Sequence, residues 1–335
     1  MNPILFEKHL FVFLFAETVI WGMLLWIALV ALILLVRWDF AQATPQQFRL
    51  EKRSDLVTTV AVVVGVFKLL LFPYFVFTID RLSGVVPGAM CAAGVISFNT
   101  WGMKLLVLKL AVLYALLSWM VLNHNDLQGM RYPFFRAKMA LIIGVFLLVS
   151  VEGGLDFLFF SGIDIHQVVN CCSTLYGLLE GMNPLPFGLD IPLLLTLFYL
   201  LYLTILSAHL GHTDVILIPA LGLFGYLGYY AVVYFFGTYI YEDPSHNCPF
   251  CMLQRDYGYV GYLVWGTLFG GTFAGMAAVL DERLSKRRSV GWRRLMVGLL
   301  TLFVLLTTAY VLLYRLRNGV WLAPDTGDGM AGMMM

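Results

Sequence analysis

The stretch FVFLFAETVIWGMLLWIALVALILLV, residues 11–36, decides the fold of this chain. It contains a single ionisable side chain, Glu17, and exceeds the roughly 20 apolar residues that a helix needs to cross a bilayer. Backbone groups in hydrocarbon must bond within their own segment, so the stretch predicts a transmembrane helix.

The composition of the whole chain has the same character. Of its 335 residues, 61% are hydrophobic and 12% are charged, whereas soluble domains are about half apolar and a quarter charged. This composition excludes a cytosolic enzyme, a disordered tail and a small secreted disulfide-stapled module. We expect the lipid bilayer, and no nucleic acid, as a partner of the chain.

Seven further apolar stretches follow the first one. Together they predict an all-α fold, a polytopic integral membrane helix bundle of about eight transmembrane helices in a single membrane domain, residues 1–335. Residues 317–335 are expected to form a short, flexible, Met-rich tail. The predicted spans lie near 9–36, 56–78, 101–122, 138–160, 190–208, 215–241, 257–280 and 295–316.

The scarce Lys and Arg residues predict the orientation of the chain. Thirteen follow spans one, three and seven, and five lie in the other connections or near the termini. Because basic residues accumulate on the cytoplasmic side, both termini are expected on the outer side. The thirteen are Arg37, Arg49, Lys52, Arg53, Arg131, Arg136, Lys138, Arg283, Lys286, Arg287, Arg288, Arg293 and Arg294, and the five are Lys8, Arg81, Arg255, Arg315 and Arg317.

This topology places all five cysteines in outer loops. Cys91 follows span two, Cys171 and Cys172 lie in the connection after span four, and Cys248 and Cys251 precede span seven. Cysteines placed at random would also fall inside the spans, where the thiol behaves as a small apolar group. The expected location is a bacterial inner membrane with the cysteine loops facing the oxidising periplasm, where disulfides form.

The tetrapeptide Cys248-Pro-Phe-Cys251 favours thiol exchange over stapling. A disulfide within it closes a very small loop, which stabilises little through chain entropy. Cys251 is predicted at or near the start of span seven, where a helix N-terminus favours the thiolate. His246 and Arg255 are positioned to stabilise that thiolate or to move its proton.

The other cysteines supply what a relay requires. Disulfide exchange proceeds by thiolate attack through a mixed disulfide, so a second thiol group must reach the first. Cys171 and Cys172 are the expected relay pair, with Cys91 as a resolving or free cysteine. The sequence therefore predicts a membrane thiol–disulfide oxidoreductase that exchanges electrons with a quinone or a soluble thiol partner.

The Cys248–Cys251 motif at the outer mouth of a span, with partner cysteines in other outer loops, resembles the membrane disulfide-generating oxidoreductases of the vitamin K epoxide reductase and DsbB type. The resemblance covers this motif and its placement. It implies that the motif passes electrons to a quinone bound beside it, and that a loop cysteine pair exchanges with a soluble, thioredoxin-like protein.

Two other classes of function share the same residues. Thiolates and thioethers select Cu(I), so Cys248, Cys251, Met252 and His246 form an alternative soft-metal site for binding or delivery. Static outer disulfides would instead suit a structural subunit of a larger membrane complex. Covalent haem is not expected, because Met252 stands where a haem-attachment motif has His.

Six ionisable residues lie inside apolar stretches, two of them Lys104 and Lys109. Lys104, near an outer end, is expected to extend its ammonium group to the membrane interface. The other four are further candidates. Glu17, Lys68, Glu152 and Asp156 would each cost a few kcal/mol in a bilayer if unpaired. Glu152 and Asp156 are four residues apart and share one helix face. We expect these acids to take up protons or to pair with Lys68 or Lys104 of neighbouring spans.

Overall fold

The computed structural model describes residues 3–39, 44–128, 132–164, 167–169, 185, 188–211 and 214–322. Within these ranges the chain is helical without strands, and eight helices are long and apolar enough to cross a membrane. This confirms the all-α, multi-pass fold and agrees with an integral membrane protein. The helices are α1, Lys8–Arg37; α2, Pro45–Leu82; α3, Trp101–Gln128; α4, Phe135–Ser161; α5, Ile191–Gly211; α6, which begins as Asp214–Ala231 and continues through the π-helical Val232–Phe236 to Gly237–Tyr241; α7, Val260–Ser285; and α8, Val290–Asn318.

Most helices extend beyond the apolar stretches that predict them. Helix α2 begins at Pro45 rather than near residue 56, because the Thr44 side chain accepts a hydrogen bond from the Gln47 N–H and Pro45 suits the first turn. Hydropathy reports the part of a helix that lies in lipid, whereas hydrogen bonding continues the helix through the polar residues that flank it.

The outward faces of the helices are as apolar as the inward ones. In α1, Phe13 and Leu24 are buried, while Phe15 and Leu29 are exposed. A helix facing water would present polar side chains on its outer face. The exposed apolar side chains therefore indicate contact with lipid.

The first compact unit contains α1 to α4 and the end of α7, Leu280–Arg287. Helix α1 packs against α2 and α4, and α3 packs against α4. Their core surrounds Trp119, which is fully buried and donates its indole N–H to the Lys138 carbonyl at 2.9 Å. This unit carries the ionisable residues predicted inside the spans.

The second compact unit contains the loop Gly88–Gly94, α5, α6, α7 as far as Val279, and α8. Its core includes Phe198 of α5, which contacts Phe224 of α6 at 5.1 Å and Phe303 of α8 at 5.9 Å between ring centroids. A Cβ atom at Gly271 would come within 2.5 Å of Leu300 of α8, so this glycine permits the close approach of α7 and α8. The single membrane domain expected over residues 1–335 stays a prediction.

Candidate functional site

Two loops of the second unit bring three cysteines together. Cys248 and Cys251 lie in the irregular segment between α6 and α7, and Cys91 precedes the short helix Ala92–Ile96. The three sulfur atoms lie within 4.8 Å of one another, and Cys91 Sγ is 3.5 Å from Cys248 Sγ. Cys91, Cys248 and Cys251 are 0%, 2% and 7% exposed. We call these three residues the thiol cluster.

The sulfur atoms of the thiol cluster lie close together without reaching disulfide distance. A disulfide requires a sulfur–sulfur distance of about 2.05 Å, and none of the three cysteines that the structure describes is at that distance from another. Cys171 and Cys172, the expected relay pair, lie outside the described residues.

Side chains from α6 and α7 hold the backbone around Cys248 and Cys251. The Tyr241 hydroxyl donates a hydrogen bond to the Cys248 carbonyl and accepts one from the Met252 N–H at 3.1 Å. The Trp265 indole N–H donates to the Pro249 carbonyl at 3.0 Å. Backbone groups that a helix would satisfy internally are thus satisfied by side chains, which allows an irregular loop to be buried.

Hydrogen bonds also fix the loop that carries Cys91. The Gln254 side-chain amide donates to the Met90 carbonyl at 3.2 Å, which joins the two cysteine loops next to their sulfur atoms. The Gly94 N–H donates to the Cys91 carbonyl at 3.1 Å. Cys91, expected only as a resolving or free cysteine, is thereby held as a full member of the cluster.

The expectation that Cys251 lies at a helix N-terminus is wrong. Cys251 begins a 3₁₀ turn, Cys251–Leu253, and α7 begins only at Val260. Gly258 and Tyr259, at φ angles of 61° and 57°, interrupt the chain before the helix. The dipole of α7 therefore gives Cys251 no support as a thiolate.

Arg255 and His246, the two residues expected to stabilise a thiolate, differ in burial. Arg255 is exposed, and its guanidinium makes no hydrogen bond or ion pair with any residue described by the structure. His246 packs its ring against that of Tyr241, with 4.2 Å between centroids and an angle of 38° between the ring planes. His246 therefore contacts the phenol that holds Cys248, and its influence on the thiols stays a prediction.

Met252, a ligand in the alternative soft-metal set, is fully buried. Its side chain occupies the space beside two helix backbones, since a Cβ atom at Gly261 would come within 2.6 Å of Met252 Cγ and one at Gly237 within 3.7 Å of its Cε. Among the described residues around this loop, the potential ligands that lie close to one another are Cys91, Cys248 and Cys251, and His246 is not among them.

Two ionisable groups in the loop outside the spans have altered acidity. Burial raises the pKa of Tyr257, and the neighbouring Cys251 raises it further. Hydrogen bonds lower the pKa of Asp243, because the Ser245 hydroxyl and N–H donate to Asp243 Oδ1 at 2.7 and 2.9 Å.

Sequence reasoning missed the residues that position the cluster. Tyr241 and Trp265 belong to the many aromatic side chains near the ends of spans six and seven, where Tyr and Trp are common in any membrane protein. The position of Tyr241, seven residues before Cys248 at the last residue of α6, was the signal that set it apart.

Five of the six ionisable residues predicted inside the spans, all except Lys104, meet in the first unit. Lys68 Nζ lies 2.6 Å from Glu17 Oε2 and 2.9 Å from Glu152 Oε1. Lys109 Nζ lies 2.6 Å from Glu152 Oε1, 2.9 Å from Asp156 Oδ2 and 3.2 Å from Glu17 Oε1. We call these five residues the charge cluster.

The acids thus pair with Lys68, as expected, and not with the alternative partner Lys104, whose exposed ammonium group agrees with the expectation that it extends toward the membrane interface. Lys104 is exposed and places its ammonium 4.8 Å from the centre of the Trp101 ring. Lys109, five residues or about 1.4 turns further along α3, is the residue that contacts the acids. Hydropathy locates a span, but it does not specify which face of the helix meets its neighbours.

Comparison with known protein families, with curated proteins and with solved structures finds no match to this chain. The evidence on function is therefore the geometry of the thiol cluster and of the charge cluster.

Proposed function

We propose that this protein is a membrane thiol–disulfide oxidoreductase with Cys91, Cys248 and Cys251 as its reactive centre. The observation that supports this proposal is the 3.5 Å between Cys91 Sγ and Cys248 Sγ within a cluster of three thiols. A single Cys-x-x-Cys pair can be oxidised and reduced, whereas a third thiol in contact allows the disulfide to be transferred. Cys248 is the sulfur that both disulfides would share.

The proposed reaction has three steps. A quinone takes two electrons and two protons from Cys248 and Cys251, which form a disulfide as the quinone becomes a quinol. The Cys91 thiolate then attacks Cys248, forming a Cys91–Cys248 disulfide and releasing Cys251 as a thiolate. A soluble, thioredoxin-like dithiol donates two electrons to this disulfide and is itself oxidised, with Cys171 and Cys172 as the proposed relay.

We place this chemistry on the periplasmic face of a bacterial inner membrane, with both termini outside. The distribution of Lys and Arg supports this orientation. A membrane-impermeant maleimide applied to intact cells should label Cys171 or Cys172 in the reduced protein. Labelling of these residues only after the membrane is opened would overturn the orientation.

The direct test is thiol trapping of the purified protein after addition of a water-soluble quinone. We expect wild-type protein to lose two titratable thiols and to release one quinol per disulfide formed. Cys248→Ser should abolish both disulfides, whereas Cys91→Ser should keep the Cys248–Cys251 disulfide and lose only transfer. If all three thiols remain reduced with quinone and across redox buffers, the proposal is wrong.

Soft-metal binding is a second candidate, favoured by the mutual distances of three buried sulfur atoms. Thiolates bind a metal at about 2.3 Å, so one ion could bridge sulfurs that all lie within 4.8 Å of one another. Cu(I) is the ion that a set of soft ligands selects. In this case Cys91→Ser, Cys248→Ser and Cys251→Ser should each lower the Cu(I) stoichiometry, whereas the redox proposal gives Cys248 a distinct role.

A further inference from the structure

The charge cluster of the first unit supports an inference that does not rest on the thiol chemistry. Its groups come from four helices, with Glu17 on α1, Lys68 on α2, Lys109 on α3, and Glu152 and Asp156 on α4. Three carboxylates face two ammonium groups, so the fully ionised cluster has one negative charge in excess. A site at membrane depth has no solvent to balance that charge.

The two lysines have no hydrogen-bond capacity left for the excess acid. An ammonium group has three donors. Lys68 uses them on both oxygens of Glu17, at 2.7 and 2.6 Å, and on Glu152 Oε1 at 2.9 Å. Lys109 uses them on Glu152 Oε1 at 2.6 Å, Asp156 Oδ2 at 2.9 Å and Glu17 Oε1 at 3.2 Å.

Two carboxylate oxygens are consequently left without a donor. Glu152 Oε2 and Asp156 Oδ1 are buried and have no hydrogen-bond partner among the residues described here. The two side chains are 1% and 3% exposed. A buried charged group without a partner is costly, because burial removes the water that would otherwise solvate it.

We propose that the charge cluster binds one exchangeable proton, held on the Glu152 and Asp156 carboxylates. A proton on either unpartnered oxygen neutralises the cluster and converts an acceptor into a donor. One oxygen from each of Glu17, Glu152 and Asp156 lies within 4.8 Å of the other two, so the proton can pass between them. The cluster is thus a proton-binding site of the kind that proton-coupled carriers and relays use.

A metal ion fits this site less well than a proton. Lys68 and Lys109 already bond the oxygens that face one another, and the rings of Phe13 and Phe75 lie 4.8 and 4.6 Å from Lys109 Nζ. A cation would have to displace an ammonium group, whereas a proton adds no volume.

A narrow pocket reaches the cluster from one side. It is lined by Glu17, Lys68, Phe72, Lys109 and Glu152, among others. Glu17 is the most exposed acid of the cluster, at 13%, while both lysines are below 5%. The proton therefore enters past Glu17, and the Glu152 and Asp156 carboxylates form the deeper part of the site.

A second buried ion pair of the same unit provides the matched control. Lys138 Nζ lies 2.6 Å from Asp126 Oδ2, and both side chains are at most 1% exposed. Here one acid meets one base, so the pair is neutral without an added proton. The control shares α3 and α4 with the charge cluster.

The test is infrared spectroscopy of the full-length protein in nanodiscs, which detects a protonated carboxylic acid by its carbonyl band. We expect wild type to show one such acid, with a band that shifts in D₂O and titrates away at high pH. Asp156→Asn and Glu17→Gln should each abolish the band, because either change leaves two acids facing two lysines. Asp126→Asn should leave it intact.

Three results would overturn the proposal. The first is the absence of an exchangeable carboxylic acid in wild type, and the second is its persistence in both Asp156→Asn and Glu17→Gln. The third is its loss on addition of NaCl but not of choline chloride, which would identify a sodium site. A variant lacking Cys91, Cys248 and Cys251 should keep the band, so failure of the thiol proposal leaves this one standing.

Discussion

The charge cluster and the thiol cluster are both buried, but different interactions hold their side chains in place. The charge cluster uses five side chains on four regular helices, and its members neutralise one another through ion pairs of 2.6 to 3.2 Å. The thiol cluster has three cysteine side chains on irregular loops, and hydrogen bonds to the backbone of those loops hold it in place.

The difference follows from the chemistry of the groups. A carboxylate or ammonium ion in an apolar interior needs a counter-charge at once, and straight helices can supply one from any neighbour. A buried thiol behaves as a small apolar group, so packing and hydrogen bonds to the surrounding backbone are enough to hold it. The charge cluster should therefore be fragile to loss of a charge, and the thiol cluster to loss of its backbone supports.

The largest effect is expected from removing a charge. Lys109→Met leaves three carboxylates facing one ammonium group and should lower the free energy of unfolding by about 3–5 kcal/mol, measured by denaturant titration in detergent. Lys104→Met, in the same helix, removes an exposed lysine and should cost less than about 1 kcal/mol. Equal losses in the two variants would show that the cluster does not act through charge.

Removing one hydroxyl should weaken the thiol cluster almost as strongly. Tyr241→Phe leaves the Cys248 carbonyl and the Met252 N–H without their partner, at about 1–3 kcal/mol for each buried group. We expect faster alkylation of Cys248 and Cys251 along with lower stability. Tyr257→Phe removes a phenol that makes no hydrogen bond to the described residues, so unchanged alkylation is the outcome expected of that control.

A larger side chain on α7, next to Met252, tests how rigidly the loop that carries Cys248 and Cys251 is held. In Gly261→Ala the new methyl would lie 2.6 Å from Met252 Cγ and 2.9 Å from the Met252 carbonyl carbon, which should cost about 1–3 kcal/mol. Gly266→Ala, in the same helix, meets no atom within 4 Å and should be neutral or slightly stabilising. Thermal unfolding distinguishes the two variants. Similar changes in melting temperature would mean that the loop moves to accommodate the new methyl group without cost.

The smallest effect concerns the pH dependence of the loop. The lowered pKa of Asp243 means that its bonds with Ser245 stabilise the fold above the ordinary carboxyl pKa, about 3.9. This contribution is lost as the pH falls through the lowered value. Ser245→Ala should therefore destabilise by less than about 1 kcal/mol at neutral pH and not at all in strong acid.

Ser285→Ala is the matched control for that pH effect, because the Ser285 hydroxyl bonds a backbone carbonyl instead of a carboxylate. Its effect on the melting temperature should be the same at both pH values. A Ser245→Ala effect that is equally independent of pH would contradict the role assigned to Asp243.

The helices and the acids could be predicted from sequence, because both depend on local hydropathy. Glu17, Glu152 and Asp156 stand out in stretches that otherwise avoid charge. Lys109 was not selected as a partner, because its pairing depends on the rotation of α3 against α1 and α4, which only packing determines. The Glu152 carboxylate is shared by two lysines, Lys68 and Lys109. This sharing depends on how the helices pack and is not encoded in the local sequence.

The thiol cluster was less accessible to sequence reasoning. The motif Cys248–Cys251 was visible, but the contact with Cys91 depends on long-range hydrogen bonds such as that from Gln254 to Met90. Span seven was predicted to begin near residue 257 with Cys251 at or near its start, whereas α7 begins at Val260. Gly258, whose φ of 61° favours glycine, was the available sign that the helix begins later.

In chain order the members of the charge cluster are one acid, two lysines and two acids, and this order suits a protein that enters the membrane while it is being synthesised. Once α1 has emerged from the ribosome the running balance is one negative charge; α2 brings it to zero, α3 to one positive and α4 to one negative. If the helices insert and associate in that order, the nascent chain never holds more than one unbalanced charge in lipid. A permuted gene that delivered α4 directly after α1 would expose the insertion machinery to three acids at once.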